Sequence, residues 1–187
     1  MRRAHPMSVL IAAALLAGCS SSEPPLAGLP GPVPDGVTFH EAPASAPPAP
    51  EFELPLINGE VVDAASAWAQ RPMVLVFFES WCELCRDQQP AINELADEYE
   101  DSVLFLGVAG LSADDDVVQY VRANDVPYPV AIDADGEVWL NYAAAEPPLV
   151  VLVTKGGQVA RGWPGGLDGD QLRAQVEDVL VETTRSE

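Results

Sequence analysis

The feature that most constrains this chain is a continuous apolar run, Met73–Phe78, followed by two cysteines with two residues between them, Cys82 and Cys85. The run is β-branched and aromatic, which is typical of a central strand buried on both faces. After the cysteines, apolar residues recur at helical spacing, at Ile92, Leu95, Ala96 and Tyr99. The pattern therefore predicts a buried strand, a short turn that carries both cysteines, and a helix.

The position of the cysteine pair indicates its chemistry. Cys82 would lie near the helix N-terminus, where unpaired backbone amides and the helix dipole favour a thiolate. Because the thiolate is the attacking species in disulfide exchange, Cys82 is the predicted nucleophile. Cys85, one turn further into the helix, is the predicted resolving cysteine. Trp81 and Glu83 flank Cys82 and are candidates for setting its local environment.

Two other interpretations of the pair are half of a zinc site and an inert structural disulfide. A structural zinc site needs four ligands, but the one other cysteine, Cys19, and both histidines, His5 and His40, precede the predicted domain. The strand–turn–helix context argues against an inert disulfide. We therefore predict a redox-active Cys82–Cys85 disulfide, with neither a metal nor a cofactor.

The rest of the chain alternates strand and helix patterns. Further strands are predicted at residues 52–56, 61–62, 103–108, Val130–Ile132, Leu149–Val153 and 158–163. Further helices are predicted after Ser112 or Asp114 and after Asp168, which has Gln171 in capping-box position. Residues 137–143 fit a short helix or a strand, of which we favour the helix. This order predicts an α/β fold with helices around a mixed central sheet, parallel first and antiparallel at the end.

The N-terminus reads as a secretory signal. Arg2 and Arg3 precede a short apolar stretch, residues 9–17, which is too short for an ordinary transmembrane helix. The sequence Leu-Ala-Gly before Cys19 resembles the bacterial lipobox, whereas the simpler interpretation is a plain signal peptide with a cysteine at its cleavage site. We predict that residues 1–18 are a signal peptide and that Cys19 carries lipid, which places the domain outside the cytoplasm, anchored to a membrane.

Residues 19–50 are predicted to be a linker and residues 51–187 the folded domain. Nine of the chain's 18 prolines fall between residues 20 and 50, and no periodicity is present. Such a composition predicts a semi-rigid, partly polyproline spacer. The formal net charge of -20 argues against nucleic acid as a partner, since so acidic a surface repels it.

Several short motifs together carry a family resemblance. They are Ala49-Pro50-Glu51-Phe52, Trp81-Cys82-Glu83-Leu84-Cys85, Pro90, Asp135-Gly136 with Tyr142, and Pro148 before an apolar run. With these motifs, the chain from about residue 50 onward resembles the TlpA/ResA/DsbE-like branch of the thioredoxin superfamily. The tryptophan–cysteine motif after a buried strand is specific, while the outer motifs are weak singly.

The resemblance implies a thioredoxin-like fold with an extra N-terminal β-hairpin and thiol–disulfide exchange with protein substrates. It further implies that Pro148 is a cis-proline facing the disulfide, where the backbone of Pro147 pairs with a substrate strand. Reductants of this type often serve apocytochrome c maturation or repair of wrong disulfides, and they need a membrane electron-transfer partner.

The chain departs from the family where a buried acid is expected. Members commonly carry that acid at the position of Val76 or of Gln88, and neither residue is acidic here. Glu79, Glu83 or Asp87 could replace it, but we interpret all three as solvated carboxylates at a helix start.

The direction of electron flow stays open at this point. The three acids near the cysteines, with Arg86 the nearest base, destabilise a thiolate and favour a reducing couple. By contrast, residues 139–142 resemble secreted DsbE-like oxidases of protein thiols. A peroxiredoxin-like peroxidase would use a lone activated cysteine, and a copper-binding module would add a histidine, so both are weaker alternatives.

Overall fold

The computed structural model describes residues 24–181. The predicted signal peptide, residues 1–18, and the predicted lipidation site, Cys19, lie outside the described residues. The same holds for residues 182–187 at the C-terminal end. Within residues 24–181, the helices are all too short or too polar to cross a membrane.

The described part of the chain alternates strands and helices. In chain order, the elements are β1 (Glu53–Pro55), β2 (Val61–Asp63), α1 (Ala64–Gln70), β3 (Met73–Phe78), α2 (Glu83–Glu98), β4 (Leu104–Ala109), α3 (Asp114–Ala123), β5 (Val130–Ile132), α4 (Glu137–Asn141), β6 (Leu149–Val153), β7 (Val159–Pro164) and α5 (Gly169–Val179). Strands β1 and β2 form a separate antiparallel hairpin. The predicted α/β fold with an extra N-terminal hairpin is therefore confirmed.

The central sheet has the strand order β5-β4-β3-β6-β7. Strand β3 pairs in parallel with β4, which pairs in parallel with β5. On its other side β3 pairs antiparallel with β6, which pairs antiparallel with β7. The fully buried strand β3 is thus the centre of a mixed sheet, as its continuous apolar sequence predicts.

The two faces of β3 point into two hydrophobic cores. Val74, Val76 and Phe78 pack with the apolar stripes of α2, α3 and α5 on one face. The alternate residues Met73, Leu75 and Phe77 face the hairpin, α1 and α4 on the other. This period of two follows from strand geometry, and it covers the sheet with helices on both sides.

Helix α1 was not predicted from the sequence. It begins after Asp63, whose side chain caps it by accepting a hydrogen bond from the Ser66 amide at 2.6 Å. Only Ala64 and Trp68 of this helix are buried. A single i, i+4 pair is too short an amphipathic pattern to predict a helix from the sequence.

The expected caps of α3 are wrong, whereas the expected cap of α5 is confirmed. The N-cap of α3 is Ala113, which makes no side-chain hydrogen bond. The hydroxyl of Ser112 is directed instead to Glu79, and Asp114 is already inside the helix. The Asp168 carboxylate accepts a hydrogen bond from the Gln171 amide at 2.8 Å.

Residues 24–50, which we call the N-terminal strap, lie against the domain. Leu26 and Phe39 pack on the core that contains α2. Backbone bridges pair Phe39 with Val181 and Pro48 with Gln158. Isolated apolar side chains and backbone groups therefore give this part of the predicted linker a fixed course along the domain, without any periodic sequence pattern.

Buried Arg71 is a second attachment of the strap. Its side chain is 3% exposed and donates to the backbone carbonyls of Glu100 and Asp101, each at 3.2 Å, and to that of Gly31 in the strap. One guanidinium therefore joins the start of β3, the α2–β4 connection and the strap.

Candidate redox site

The cysteine pair lies directly after the central strand. Cys82 is the N-cap of α2, and its backbone amide donates to the Glu79 carbonyl at 3.0 Å. Cys82 and Cys85 are joined by a disulfide with an S–S distance of 2.00 Å. The Cys85 amide donates to the Cys82 sulfur at 3.0 Å, and this N–H would also stabilise a Cys82 thiolate.

The disulfide is buried beside an exposed apolar surface. Cys82 is 5% exposed and Cys85 2% exposed. The flanking side chains of Trp81 and Leu84 are large, apolar and exposed. An apolar surface of this kind beside a reactive group is typical of a contact site for another molecule.

Pro148, which immediately precedes β6, is linked to α2 through the loop after β7. The peptide bond between Pro147 and Pro148 is cis, and the Pro148 carbonyl accepts a hydrogen bond from Gly165 at 2.8 Å. The Gly165 carbonyl in turn accepts a hydrogen bond, at 3.0 Å, from the side-chain amide of Gln88. Gln88 is three residues after Cys85 on α2. These two bonds connect the proline loop to the helix that carries the disulfide.

Glu79 corrects the interpretation of the nearby acids as solvated. Its side chain is fully buried, and one carboxylate oxygen accepts from the amides of Gly110 at 3.2 Å and Leu111 at 2.5 Å. The other oxygen accepts from the Ser112 hydroxyl. A buried carboxylate is tolerated because hydrogen bonds replace its hydration, and here all of them come from the loop after β4.

Glu83 and Asp87 are exposed, as expected for acids in the first turns of a helix, and Arg86 is exposed beside them. Gln88, where the family resemblance leads us to expect an acid, is half-buried, and its side-chain amide donates to the Gly165 carbonyl after β7. Gln88 therefore has a positioning contact but no proton to exchange.

A buried polar network beneath the site was missed by sequence reasoning. The Gln89 side chain donates to the Tyr128 hydroxyl at 2.7 Å and accepts from the Tyr120 hydroxyl at 3.2 Å. It follows the cysteines on the inward face of α2, where an apolar residue fits the helical pattern. The network connects α2, α3 and the loop before β5.

Burial raises the pKa of Tyr120 to about 12 and also raises the pKa of Tyr128. Because the folded state holds these protons more tightly than the unfolded state does, their contribution to stability is complete below about pH 10. It is lost as the pH rises through about 12. We expect the free energy of unfolding in urea to fall over this range, and to fall less in Tyr120→Phe. An equal fall in both proteins would contradict the assignment.

Gly110 fits closely against Trp139 at the start of the loop that Glu79 holds. A Cβ atom on Gly110 would lie 2.8 Å from the indole nitrogen of Trp139, which donates to the Val108 carbonyl. Gly110→Ala should therefore lower the free energy of unfolding by about 1–3 kcal/mol, measured by urea denaturation. Gly31→Ala is the matched control, since a Cβ there meets no atom within 4 Å. Equal stability of the two variants would contradict this packing.

Comparison with known proteins agrees with this geometry. The model of the AhpC/TSA family matches residues 46–161. The thiol–disulfide oxidoreductase ResA of Bacillus thuringiensis subsp. konkukian is 28% identical over 137 residues, which are 73% of this chain and 76% of ResA. The thiol–disulfide oxidoreductase YkuV of Bacillus subtilis is 27% identical over 73% of this chain and 96% of its own length.

Solved structures show the same fold. A structure of MTB DsbF in its mixed oxidized and reduced forms superposes with a TM-score of 0.63 at 27% identity, over 70% of this chain and 98% of that one. The predicted kinship with ResA- and DsbE-like thiol–disulfide oxidoreductases is confirmed, and so is the predicted redox enzyme activity. With its family model matched over residues 46–161, the chain belongs to the AhpC/TSA family of thioredoxin-like proteins.

Proposed function

We propose that this chain exchanges disulfides with protein substrates outside the cytoplasm, with Cys82 as nucleophile and Cys85 as resolving cysteine. The observation that carries the proposal is the Cys82–Cys85 disulfide at the first turn of α2, with the Cys85 amide directed at the Cys82 sulfur. The relatives named above carry the same activity in their names.

The exchange transfers two electrons in two steps. In the reduced enzyme the Cys82 thiolate attacks a substrate disulfide, which forms a mixed disulfide and releases one substrate thiolate that takes a proton from water. The Cys85 thiolate then attacks the Cys82 sulfur. This closes the Cys82–Cys85 disulfide and releases the second substrate thiolate. The reverse sequence oxidises a substrate dithiol.

Pro148 is proposed to align the substrate. The preceding Pro147 is half-buried and follows the exposed Glu146, so a chain passing the disulfide can reach this backbone. A substrate strand that pairs there would be held with its sulfur near Cys82, in the way that extended peptides bind exposed backbone edges. Trp81 and Glu83, which border Cys82, are proposed to shape the surface and charge that the substrate meets.

The proposed direction is reduction of substrate disulfides. The exposed acids Glu83 and Asp87 lie in the first turns of α2 with Arg86 as the neighbouring base, and negative charge disfavours a thiolate. A reductant in this location needs an electron donor in the membrane. One observation favours the second candidate, a disulfide-forming oxidase. The Cys85 N–H is directed at the Cys82 sulfur and would stabilise its thiolate, which favours the reduced form of the pair and so makes the disulfide more oxidising.

We also propose that residues 1–18 are removed, that Cys19 carries lipid and that the domain is membrane-anchored. The strap then limits the length of the tether, because its described apolar contacts begin at Leu26 and Pro24 is only five positions after Cys19 in the sequence. At about 3.4 Å per residue, the anchor lies within roughly 17 Å of Pro24. The domain boundary proposed at residue 51 therefore separates the catalytic domain from a strap that is attached to it.

The lipidation proposal has a direct test. The mature protein should partition into membranes and show the mass of residues 19–187 plus that of the lipid attached to Cys19. Cys19→Ser should be released in a form without lipid but should keep its disulfide exchange, since Cys19 is outside the redox pair. An unmodified N-terminus on the wild-type protein would contradict lipidation without touching the redox proposal.

The activity itself is tested with the purified, reduced chain and a short peptide dimer joined by one disulfide. Released peptide thiols should appear together with one Cys82–Cys85 disulfide per peptide disulfide reduced. The proposed function would be overturned if the reduced chain released no peptide thiols and the oxidised chain also consumed none.

A further inference from the structure

The exposed apolar side chains of this protein are concentrated at one end of the sheet. Six large ones are exposed in the described residues, namely Leu29, Val61, Trp81, Leu84, Leu111 and Leu140. Four of these, Trp81 and Leu84 after β3, Leu111 after β4 and Leu140 after β5, follow the carboxyl ends of parallel strands, and those ends share one edge. Leu111 is the most exposed, at 81%. The concentration at the redox end indicates a contact surface rather than scattered surface residues.

A buried carboxylate, that of Glu79, fixes the backbone position of the exposed residue Leu111. The Glu79 carboxylate accepts the Leu111 amide at 2.5 Å and the Gly110 amide at 3.2 Å, so the backbone of this loop is turned inward. The Leu111 side chain projects into solvent as a result. Burying a carboxylate is expensive, and a serine hydroxyl and two amides of one loop supply all its hydrogen bonds.

The same network ties the Leu111 loop to the redox loop. The Ser112 hydroxyl, which donates to Glu79, lies 2.9 Å from both the amide nitrogen and the hydroxyl oxygen of Ser80. Ser80 precedes Trp81, and the Glu79 carbonyl accepts the Cys82 amide at 3.0 Å. Leu111 is therefore the sequence neighbour of Ser112, and Trp81 is the sequence neighbour of Ser80. The two serines are hydrogen-bonded to each other.

The charges around this surface are mostly negative. The first turn of α3 carries Asp114, Asp115 and Asp116, all exposed, and Asp116 lines one cleft together with Trp81 and Arg86. Glu83 is exposed beside Cys82. Arg86 is the one base in that cleft. An apolar surface with such a border is complementary to a chain that carries an apolar side chain among lysines or arginines.

We propose that Leu111 and Trp81 form a substrate-selecting surface, with Glu79 as the positioning residue, for polypeptide disulfides flanked by an apolar side chain and basic residues. This inference rests on the proposed function and adds the substrate class. The exchange step is unchanged: the Cys82 thiolate displaces one sulfur of the substrate disulfide, and the surface orients the segment that carries the attacked sulfur.

The test compares three short peptide dimers, each joined by one cysteine disulfide, as substrates of the full chain. The first has leucine beside the cysteine and lysines further out, the second has serine in place of leucine, and the third has glutamates in place of lysines. We expect kcat/KM to be about 5- to 10-fold higher for the leucine peptide than for the serine peptide. Partial burial of a leucine side chain stabilises a complex by a factor of this size. Lysine should be favoured over glutamate at low salt, and this preference should shrink as salt is added.

Leu111→Ser should bring the leucine-to-serine ratio of kcat/KM close to 1, while Val61→Ser should leave it as in the wild type. Val61 is the matched control because it is also an exposed apolar residue, but it shares a cleft with Leu104 at the opposite end of the sheet. Exchange with a ratio near 1 in the wild type, or a ratio that Leu111→Ser leaves intact, would overturn this inference. Absence of exchange with every peptide would instead overturn the proposed function.

Glu79 is tested by a pair of variants. Glu79→Ala removes the acceptor of the Gly110 and Leu111 amides and should lower the leucine-to-serine ratio as Leu111→Ser does. Glu79→Gln keeps one acceptor oxygen for the amides and should restore most of the ratio. A merely structural Glu79 would lower kcat/KM for all peptides alike and leave the ratio unchanged, which would overturn its positioning role. Leu111→Ser keeps the proposal testable if Glu79→Ala does not fold, since Leu111 is on the surface.

Discussion

Replacing Cys82 with serine should abolish disulfide exchange, with a loss of roughly 1000-fold or more in kcat/KM, because serine supplies no thiolate at neutral pH. Replacing Cys85 should have a different result. Cys85→Ser keeps the attacking sulfur at the start of α2 but removes the sulfur that resolves the mixed disulfide. It should therefore react once and remain joined to its substrate through Cys82.

The two variants are compared by mass spectrometry after mixing with a disulfide-linked peptide. Cys85→Ser should gain the mass of one peptide half, and a reducing agent should release it. Cys82→Ser should gain nothing at a comparable rate, and Cys19→Ser should turn over like the wild type. If the adduct formed in Cys82→Ser instead, the assignment of the nucleophile to Cys82 would be reversed.

Arg71→Ala should lower the free energy of unfolding by about 2–4 kcal/mol, because it removes a buried side chain that is hydrogen-bonded to backbone. The guanidinium donates to three backbone carbonyls, those of Gly31, Glu100 and Asp101. Burial lowers the pKa of Arg71, while the Asp101 charge opposes that shift. Removing the side chain leaves these three carbonyls without their charged donor and leaves a gap where the buried guanidinium lay.

The prediction for Arg71 is measured by urea denaturation and by limited proteolysis of the strap. Arg161 lies on β7 with an exposed side chain, so Arg161→Ala is the matched control and should change stability by less than about 0.5 kcal/mol. Cleavage within residues 24–50 should become faster in Arg71→Ala, because the bond to Gly31 is lost. A strap equally resistant in both variants would contradict its attachment through Arg71.

The parts of the fold that the sequence predicts are those with strong periodic or turn signals. Strand β3 is a run of six buried residues. A continuous apolar run of this length is too short for a typical buried helix, so it predicts a buried strand. Asn58-Gly59 lies between the two predicted strands 52–56 and 61–62, and Gly59 adopts a positive φ, which glycine tolerates. The redox pair was recognisable because its chemistry depends on a local motif, a cysteine pair between a strand and a helix.

The features that were missed depend on single long-range contacts. Glu79 looks in the sequence like any acid near a helix start, and only the loop after β4, more than thirty residues away, shows that it is buried. The strap lacks periodicity because its bonds involve backbone groups and one arginine. Gln89 occupies a core position as an amide because two tyrosine hydroxyls meet it there. Local patterns carry no information about such partners.

The most direct test of the central claim is the redox equilibrium of the Cys82–Cys85 pair. The full chain with Cys19→Ser, in which these two cysteines alone can titrate, is equilibrated across glutathione buffers and its free thiols are counted by mass. We predict a reversible two-electron transition with a midpoint near or below about -250 mV, as expected for a reductant. A midpoint near about -120 to -180 mV would assign the oxidase direction instead. Failure to form the disulfide at any redox poise would contradict the redox assignment of the site.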